Sequence, residues 1–444
     1  MTDHAGPAAV SAAFSAVGRT VGQTEGQTRA GMDSGIEHLL RVEAPQVLGA
    51  LVRRFGRFDV AEDAVQEALL TASRLWPAGG VPEDPRGWLI RVGYRRMVDL
   101  LRADQSRRRR EREAGVAELA MGEPGRGPGV ARQTDDSLAL LLLCCHPALS
   151  VTSQVALTLR AVGGLTTAEI AHAHGVPENT MGTRISRAKQ RLARAGARFT
   201  PPADTDRGGR MAAAAQVLYL IFNEGYTASA GDRLARVGLT GEAIRLTRML
   251  HACAPADVEV TGLLALMLLT EARRPARTGA HEELVPWEEQ DRTRWDCDLI
   301  REGTELIDGV WGRREVGPYQ LQAAIAAVHA AAASPRRTDW PQIAALYVWL
   351  ERLNPIPSVR LSRVVAVAKA YGPVRGLALL DDLDRRFQLG RDPLVRRRER
   401  AVRAHLLLMT GDAAGAVRLY REAAELTGNL VERRYLLDQA DRLG

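Results

Sequence analysis

The chain has 444 residues, of which 46% are hydrophobic and 5% aromatic, and its formal net charge is +7. This apolar content excludes an intrinsically disordered chain and supplies enough core for about three domains of ~150 residues. Ala, Leu and Arg are abundant and β-branched residues are sparse, which favours helices. Residues 1–200 hold 26 basic and 21 acidic side chains, so most of the positive excess lies there. That excess suits a nucleic-acid partner.

The spacing of the cysteines and the hydropathy of the chain argue against several further classes of protein. Cys144, Cys145, Cys253 and Cys297 lack the CxxC spacing of zinc sites. The first two lie in the apolar run "LALLLLCCHPAL", which favours buried structural thiols over a metal site with His146. We find no secretory signal peptide and no apolar run of ~18 residues. We therefore expect a cytoplasmic, reduced protein without a metal or another cofactor.

The first part of the chain consists of a polar tail followed by a region with helical periodicity. Residues 1–35 are small and polar, and we expect a flexible tail there. Residues 36–106 read as helices. In "DVAEDAVQEALLTASRLW", Asp59 is the expected N-cap and Glu62 follows three positions later, as in a capping box. Prolines and glycines in "WPAGGVPEDP" separate this helix from "RGWLIRVGYRRMVDLLR".

The remainder of the chain is predicted to be helical between two breaks. Residues 107–134 are charged, contain Gly and Pro, and are predicted to form a linker. Helices resume over 135–199. The segment "TPPADTDRGG" marks a short tether at 200–210, and 211–444 reads as successive short amphipathic helices. Since no run shows a strand pattern, the predicted fold class is all-α.

The segment "TTAEIAHAHGVPENTMGTRISRAKQRL" has the pattern of a helix–turn–helix. Thr166 is the expected cap of the first helix, with Glu169 three residues later. Gly175 suits the left-handed position that ends this helix, and Pro177 suits the start of the next one. The second helix of such a motif lies in the DNA major groove.

The second helix has two chemically different faces. Met181, Ile185, Ala188 and Leu192 form one apolar stripe. N-terminal residues of a recognition helix contact base edges, whereas later arginines contact phosphates. A surface helix with solvated arginines is the alternative interpretation. The predicted DNA-binding face consists of Asn179, Thr180, Thr183, Arg184, Arg187 and Arg191.

The order of these segments resembles an extracytoplasmic-function sigma factor of bacterial RNA polymerase. "DVAEDAVQEALLTASRLWP" and "WLIRVGYRRMVDLLR" precede a linker, and "ALTLRAVGGLTTAEIAHAHGVPENTMGTRISRAKQRL" follows it. The resemblance covers 36–106, as region 2, and 135–197, as region 4. It implies two partners, namely the polymerase core, through its largest-subunit clamp and its flap, and promoter DNA. It also implies that the chain has no catalytic residues of its own.

The resemblance assigns functional residues in region 2. Asp63, Gln66 and Glu67 match the face that docks on the polymerase clamp. The next helix matches the segment that meets the minus-ten element, and the helix–turn–helix matches the reader of the minus-thirty-five element. We expect Trp88 to pack in the core rather than stack on DNA. The residues matched to the minus-ten segment are Trp88, Arg91, Arg95, Arg96, Asp99 and Arg102.

The second half resembles the helical extension of one branch of that family. Four segments carry this similarity: "LYLIFNEGYTASAGDRL" (218–234), "LLALMLLTEARRPART" (263–278), "QDRTRWD" (290–296) and "GPYQLQAAIAAVHA" (317–330). The resemblance implies that the extension takes part in control, and the short tether predicts that the extension packs on one or both sigma domains. Whether it masks them or holds them in a competent arrangement stays open.

The end of the extension is similar to tetratricopeptide repeats. In "GDAAGAVRLYREAAEL", Gly411, Ala416, Tyr420 and Ala423 have the small–small–aromatic–small spacing of such a repeat. Tyr347 matches the aromatic position of an earlier, degenerate one. Stacked helical pairs are therefore expected over this part of the chain.

Two other functional classes compete with the sigma factor. A helix–turn–helix regulator with a helical sensor domain would act without binding the polymerase core. An enzyme in 211–444 would need a catalytic, metal or phosphate-binding motif, yet none has the required spacing, and "HEELV" lacks the second His of a zinc protease. Asn223 and Glu224 interrupt an apolar helix pattern and suit either a ligand pocket or, preferably, buried hydrogen bonds between helices.

Overall fold

A computed structural model shows a helical chain and confirms the predicted all-α class. The two strands among the described residues have two residues each. Gly35 apart, the predicted tail lies outside the described residues. The structure describes residues 35–36, 39–113, 136–174, 176–197, 199, 204–312, 316–391 and 393–443.

The described residues form two compact units. The first comprises those up to Thr167 together with Gly182–Arg210, and the second comprises Ala168–Met181 and the residues from Met211 onward. The first half of the chain contains the helices α1 (39–55), α2 (Phe58–Gly79), α3 (Pro85–Glu113), α4 (Asp136–Cys144), α5 (Val151–Ala161), α6 (Thr167–Ala173) and α7 (Glu178–Arg194).

The core of the first unit is built from the apolar faces that the periodicity indicates. Leu48, Val65, Leu89 and Met97 are buried on α1, α2 and α3. Gly93 permits a close approach between helices, since a Cβ there would lie 2.9 Å from the Leu51 side chain. Burying each such side chain contributes roughly 1.5–3 kcal/mol. This packing holds α2 and α3 in a fixed relation to each other.

Three predicted boundaries were wrong. Helix α2 begins at Phe58 with Arg57 at the N-cap position, so Asp59 lies in the first turn and binds Arg57 instead. Helix α3 continues through "RRRRERE", so 107–113 are helical rather than linker, because Arg and Glu are good helix formers. Residues 114–134 lie outside the described residues. Most of the predicted tether is also helical, because the next helix begins at Asp204.

The second unit is a succession of helices that pack on their sequence neighbours. Its cores are aliphatic and alanine-rich, as at Leu321, Ile343 and Val364. The helices in the second half of the chain are α8 (Asp204–Tyr226), α9 (Val237–Cys253), α10 (Val258–Glu271), α11 (Cys297–Val310), α12 (Pro318–Ala331), α13 (Trp340–Leu353), α14 (Pro357–Tyr371), α15 (Pro373–Phe387), α16 (Pro393–Met409), α17 (Ala413–Leu426) and α18 (Leu430–Asp441).

The end of the chain pairs with the start of the second unit. Strand β1 (Ala230–Gly231) runs parallel to β2 (Gly428–Asn429). Asn429 is fully buried, and its Nδ2 donates to the carbonyls of Ala228 at 2.9 Å and Arg233 at 3.0 Å. Its Oδ1 accepts from the first amides of α18. One side chain therefore caps the last helix and closes the row of helices.

The repeat-like segment folds as a helical pair. Gly411 has a φ of +92° in the turn between α16 and α17, a conformation that glycine adopts without strain. Ala416, Tyr420 and Ala423 are buried in the core that α16, α17 and α18 share. The tetratricopeptide assignment itself stays a prediction.

The structure tests the predictions made for the cysteines and for Asn223 and Glu224 of α8. Cys144 and Cys145 are buried free thiols, as predicted, and burial raises the pKa of Cys145 to about 12. Asn223 is exposed, and Glu224 accepts hydrogen bonds from the Ser229 amide and hydroxyl. The expectation of buried hydrogen bonds between helices was therefore wrong.

In the described part of the chain, no helix is long and apolar enough to cross a membrane, and no cluster of His, Cys, Asp and Glu could hold a metal ion.

Candidate polymerase and promoter interfaces

A cluster of charged side chains joins α2, α5 and α7 inside the first unit. Glu62 is only 2% exposed. Its carboxylate accepts from Arg160 Nε at 2.8 Å and from Lys189 Nζ at 2.9 Å. Lys189 also lies 2.6 Å from Asp63 Oδ1. The predicted DNA-reading helix α7 is thus held against α2 by ion pairs.

The cluster is electrically satisfied. Burial by itself would raise the pKa of Glu62, but attraction to Lys189 and Arg160 outweighs it and holds that pKa below its ordinary value. Burial would likewise lower the pKa of Lys189, whereas Glu62 and Asp63 raise it. Glu62 and Lys189 therefore both carry their charges at neutral pH, and the charged forms hold each other in place.

The predicted clamp-docking residues lie on α2, and both acids among them have partners inside the chain. Asp63 has an exposed side chain that pairs with Lys189. Gln66 is half-buried. Glu67 accepts from Arg96 Nη2 at 2.7 Å, across the α2–α3 contact. The structure thus brings Arg96, predicted to face the minus-ten element, to a residue of the predicted docking face.

The remaining residues matched to the minus-ten segment follow one side of α3. They recur every three or four positions and therefore share a face of the helix. Trp88 is half-buried and packs edge-to-face on Trp76, with ring centroids 5.5 Å apart, as expected for core packing. The exposed members are Arg91, Arg95, Asp99 and Arg102.

Helix α7 has the predicted two faces. Its stripe from Met181 to Leu192 is buried, with every member at most 5% exposed. Helix α6 begins directly after Thr166, as predicted, while Gly175 lies outside the described residues. Arg184 is half-buried. The other predicted DNA-binding residues are exposed: Asn179, Thr180, Thr183, Arg187 and Arg191.

Sequence reasoning missed the ion cluster. Glu62 was assigned to a capping box, and Arg160 and Lys189 were not singled out. The only available signal was that Lys189 is one of just two lysines in an arginine-rich chain. The partners of Glu62 lie 98 and 127 positions away, a separation that no local pattern reports.

Comparisons with known proteins agree with this helical plan. Residues 39–108 match sigma-70 region 2, 139–192 match sigma-70 region 4, and 210–310 match a family of unknown function, DUF6596. An uncharacterized protein of Rhizobium meliloti strain 1021 is 42% identical over 423 residues, covering 93% of this chain and 96% of its own length. No solved structure matches the chain significantly.

A smaller similarity connects the chain to a sigma factor. The probable ECF RNA polymerase sigma factor SigI of Mycobacterium tuberculosis is 32% identical over 146 residues, which cover 32% of this chain and 48% of that protein. The matches to sigma-70 regions 2 and 4 therefore define a sigma-type promoter-specificity protein. The chain belongs to the extracytoplasmic-function group of the sigma-70 family and carries a C-terminal extension. It directs RNA polymerase to promoters, and sigma factors are non-catalytic subunits of that enzyme. Its partners are the polymerase core and promoter DNA.

Proposed function

We propose that this sigma factor docks on the polymerase clamp through Asp63, Gln66 and Glu67. The exposed side of α3 then meets the minus-ten element, and α7, with the polymerase flap behind it, meets the minus-thirty-five element. This assignment is supported by the position of each basic face, which lies opposite a buried apolar face and can therefore bind without disturbing the core. We propose residues 36–113, 135–199 and 211–444 as the functional domains. A polymerase partner implies a location in the bacterial cytoplasm.

The contact between Lys189 and Asp63 carries a second part of the proposal. The two promoter elements are about 25 base pairs apart, which is about 85 Å along B-DNA at 3.4 Å per base pair. Arg184 precedes Lys189 by five residues, about 8 Å along α7, and Lys189 touches Asp63. Glu67, one turn from Asp63, touches Arg96 of α3.

Because these distances are short, the predicted DNA-reading surfaces of α3 and α7 lie far closer together than 85 Å. They cannot engage both elements of one straight promoter in this arrangement. We therefore interpret the structure as a closed state, in which Lys189 covers part of the docking face. Docking on polymerase would exchange the Lys189 and Arg96 pairs for contacts with the clamp.

A docking variant tests the assignment of α2. Gln66→Arg adds a positive charge beside Asp63 and Glu67 without removing either internal pair, and Arg preserves the helix. We expect about five- to tenfold weaker binding to core polymerase, because like charge at a docking surface lowers both affinity and association rate. Gln66→Glu is the matched control. Equal core binding by both variants would remove Gln66 from the docking face.

Two arginines of α7 test promoter reading. Arg184→Ala should cost about 1–3 kcal/mol on promoters whose minus-thirty-five element it reads, and less on altered elements. Arg191→Ala should weaken all promoters alike and reduce the salt dependence, as loss of a phosphate contact does. Transcription in vitro with core polymerase and genomic DNA, with mapped start sites, supplies the native promoters. Identical profiles for the two variants would contradict the assignment of the faces.

Control by the extension is the third part of the proposal. Residues 168–181, the first part of the helix–turn–helix, belong by their contacts to the same unit as the extension. In this unit Arg236, just before α9, donates to the backbone carbonyl of His172 in α6. This bond supports a direct influence of the extension on the DNA-reading motif.

The control proposal is tested by removing that bond. Arg236→Ala should change promoter-dependent transcription by at least twofold relative to wild type. Arg233→Ala, at an exposed arginine on the same loop, should not change it. The direction of the change tells whether the extension masks or supports the motif. If Arg236→Ala and a chain ending near Ala197, each shown to be folded, both match wild type, the extension does not regulate this sigma factor.

A further inference from the structure

The extension contains a cavity of about 390 Å³ in its middle. It is bounded by the one-turn helix Trp287–Glu289 and by side chains from α12, α13, α14 and α16. This volume lies within the 300–1,000 Å³ range of small-molecule sites in proteins. Three of the four segments that resemble a shared extension supply residues in or directly around it: Arg273, Arg292 and His329.

One wall of the cavity is aromatic. His329 contacts Trp287 edge-on, with ring centroids 4.5 Å apart, and Trp340 in the same manner at 5.2 Å. Tyr347, on the next turns of α13, also lines the cavity, and burial raises the pKa of its hydroxyl. Flat, partly apolar rings of this kind stack on a planar ligand.

The charges at the cavity are predominantly positive. Arg273 lies over the Trp287 ring at 4.2 Å, and Arg398 donates to the Ser362 hydroxyl at 3.3 Å. Within the described residues neither arginine forms an ion pair with a carboxylate. Glu288, which also lines the cavity, is paired with Lys369. Two positive charges therefore stay uncompensated at the cavity.

Several polar atoms of the lining lack partners. Among the described residues, Arg273 Nε, Trp287 Nε1 and His329 Nδ1 are buried without a hydrogen bond. A buried donor left without a hydrogen bond is destabilising, so native proteins normally pair such groups. Burial and the nearby charges of Arg273 and Arg292 keep His329 neutral, so its ring can give or accept a hydrogen bond without adding charge.

We propose that this cavity binds a small organic anion with a planar ring. The anionic group lies toward Arg273 and Arg398, and the ring packs against Trp287 and Trp340. Neither half of this chemistry suffices alone, because the excess positive charge selects an anion whereas the aromatic wall selects a flat, partly apolar body. The extension would thus be a ligand-binding domain, and this assignment does not depend on how the sigma domains act.

Isothermal titration calorimetry on the full-length protein tests the proposal with defined probes. The probes are 1-naphthyl phosphate and 1-naphthoate, which combine a ring with an anion, and inorganic phosphate and 1-naphthol, which carry only one of the two features. We expect at least one combined probe to bind with a Kd below 1 mM and to change tryptophan fluorescence. Each single-feature probe should bind at least tenfold more weakly.

Variants place the binding at this cavity. Arg398→Gln should weaken the combined probe about five- to tenfold, since a charge-assisted contact is lost. Arg418→Gln, at an exposed arginine of α17 outside the cavity, removes the same charge and should bind as wild type does. Equal unfolding midpoints establish that both variants fold. The proposal is overturned if neither combined probe binds, if 1-naphthol binds as tightly as the anions, or if Arg398→Gln leaves the affinity unchanged.

Discussion

Each of the two units has an internal cluster of charged side chains, and the two clusters are balanced in different ways. In the first unit, Glu62 and Asp63 face Arg160 and Lys189, so two negative charges meet two positive ones. In the second unit, Arg273 and Arg292 lie over tryptophan rings, and neither pairs with a carboxylate in the described part of the chain.

This difference distinguishes a structural contact, in the first unit, from a site that can bind a ligand, in the second. A fully paired ion cluster needs no further partner, and it stabilises one particular arrangement of α2, α5 and α7. A cluster with excess positive charge keeps favourable interaction energy available to an anion. Four measurements can break or sharpen this comparison.

Removal of Glu62 should have the largest effect. Glu62→Ala leaves Arg160 and Lys189 without their shared buried partner, which should lower the free energy of unfolding of the first unit by about 3–5 kcal/mol. Urea denaturation, monitored by hydrogen exchange of the α2 and α5 amides, measures the loss in the free energy of unfolding. Glu67→Ala, which breaks the more exposed pair with Arg96, should cost at most about 1 kcal/mol. Similar losses in the two variants would mean that burial does not distinguish the pairs.

Substitution of Asn429, which forms a network of uncharged hydrogen bonds, should cause the second largest loss in the free energy of unfolding. Asn429→Ala removes two buried hydrogen bonds to carbonyls and the cap of α18, so we expect a loss of about 2–4 kcal/mol in the second unit. Asp412→Ala, which removes only the cap of α17, should cost about 1 kcal/mol. Urea curves monitored by tryptophan fluorescence compare the two. Equal losses would show that the β1–β2 closure contributes nothing.

His329 makes the second unit sensitive to acid. Its pKa is lowered from 6.5 to about 3, by burial first and then by Arg273 and Arg292. Between these values the unfolded chain binds more protons, so stability is complete above pH 6.5 and falls as the pH decreases toward 3. At pH 5 the loss from this group should be about 2 kcal/mol.

The histidine effect is isolated by substitution. His329→Gln should reduce the difference in urea midpoint between pH 7 and pH 5, whereas His281→Gln, at an exposed histidine, should keep it. Other groups titrate over the same range, so the comparison is between variants and not between absolute stabilities. An undiminished difference in His329→Gln would show that this ring is not held neutral by its surroundings.

The smallest expected effect is that of Lys189 on polymerase binding. Lys189→Met retains the aliphatic stem and leaves Glu62 paired with Arg160. Because Asp63 is then released, core polymerase should bind about two- to fivefold more tightly, the equivalent of about 0.5–1 kcal/mol. Lys369→Met, at the other lysine of the chain, is the control. Weaker core binding by Lys189→Met would contradict the closed-state interpretation.

Local sequence patterns predicted what depends on neighbours along the chain. The apolar stripe of α7 and the burial of Cys144 and Cys145 follow from helical periodicity and from an apolar run. The same local signals failed where a helix continued into a charged segment, as in α3. Charge there indicated a linker, but Arg and Glu are compatible with either state, and the favourable continuation of an existing helix decided.

The sequence by itself determined the helical class of this protein and the two faces of α7, because these depend on spacings of a few residues, and its resemblance to a known family indicated the order of the sigma regions. Only the tertiary structure decided which charges meet. Glu62 finds its partners 98 and 127 positions away, and the cavity of the extension collects side chains from Arg273 to His405. Such pairings follow from how helices stack, since packing brings distant positions together and buries them from water, and burial then determines whether a charge must be paired.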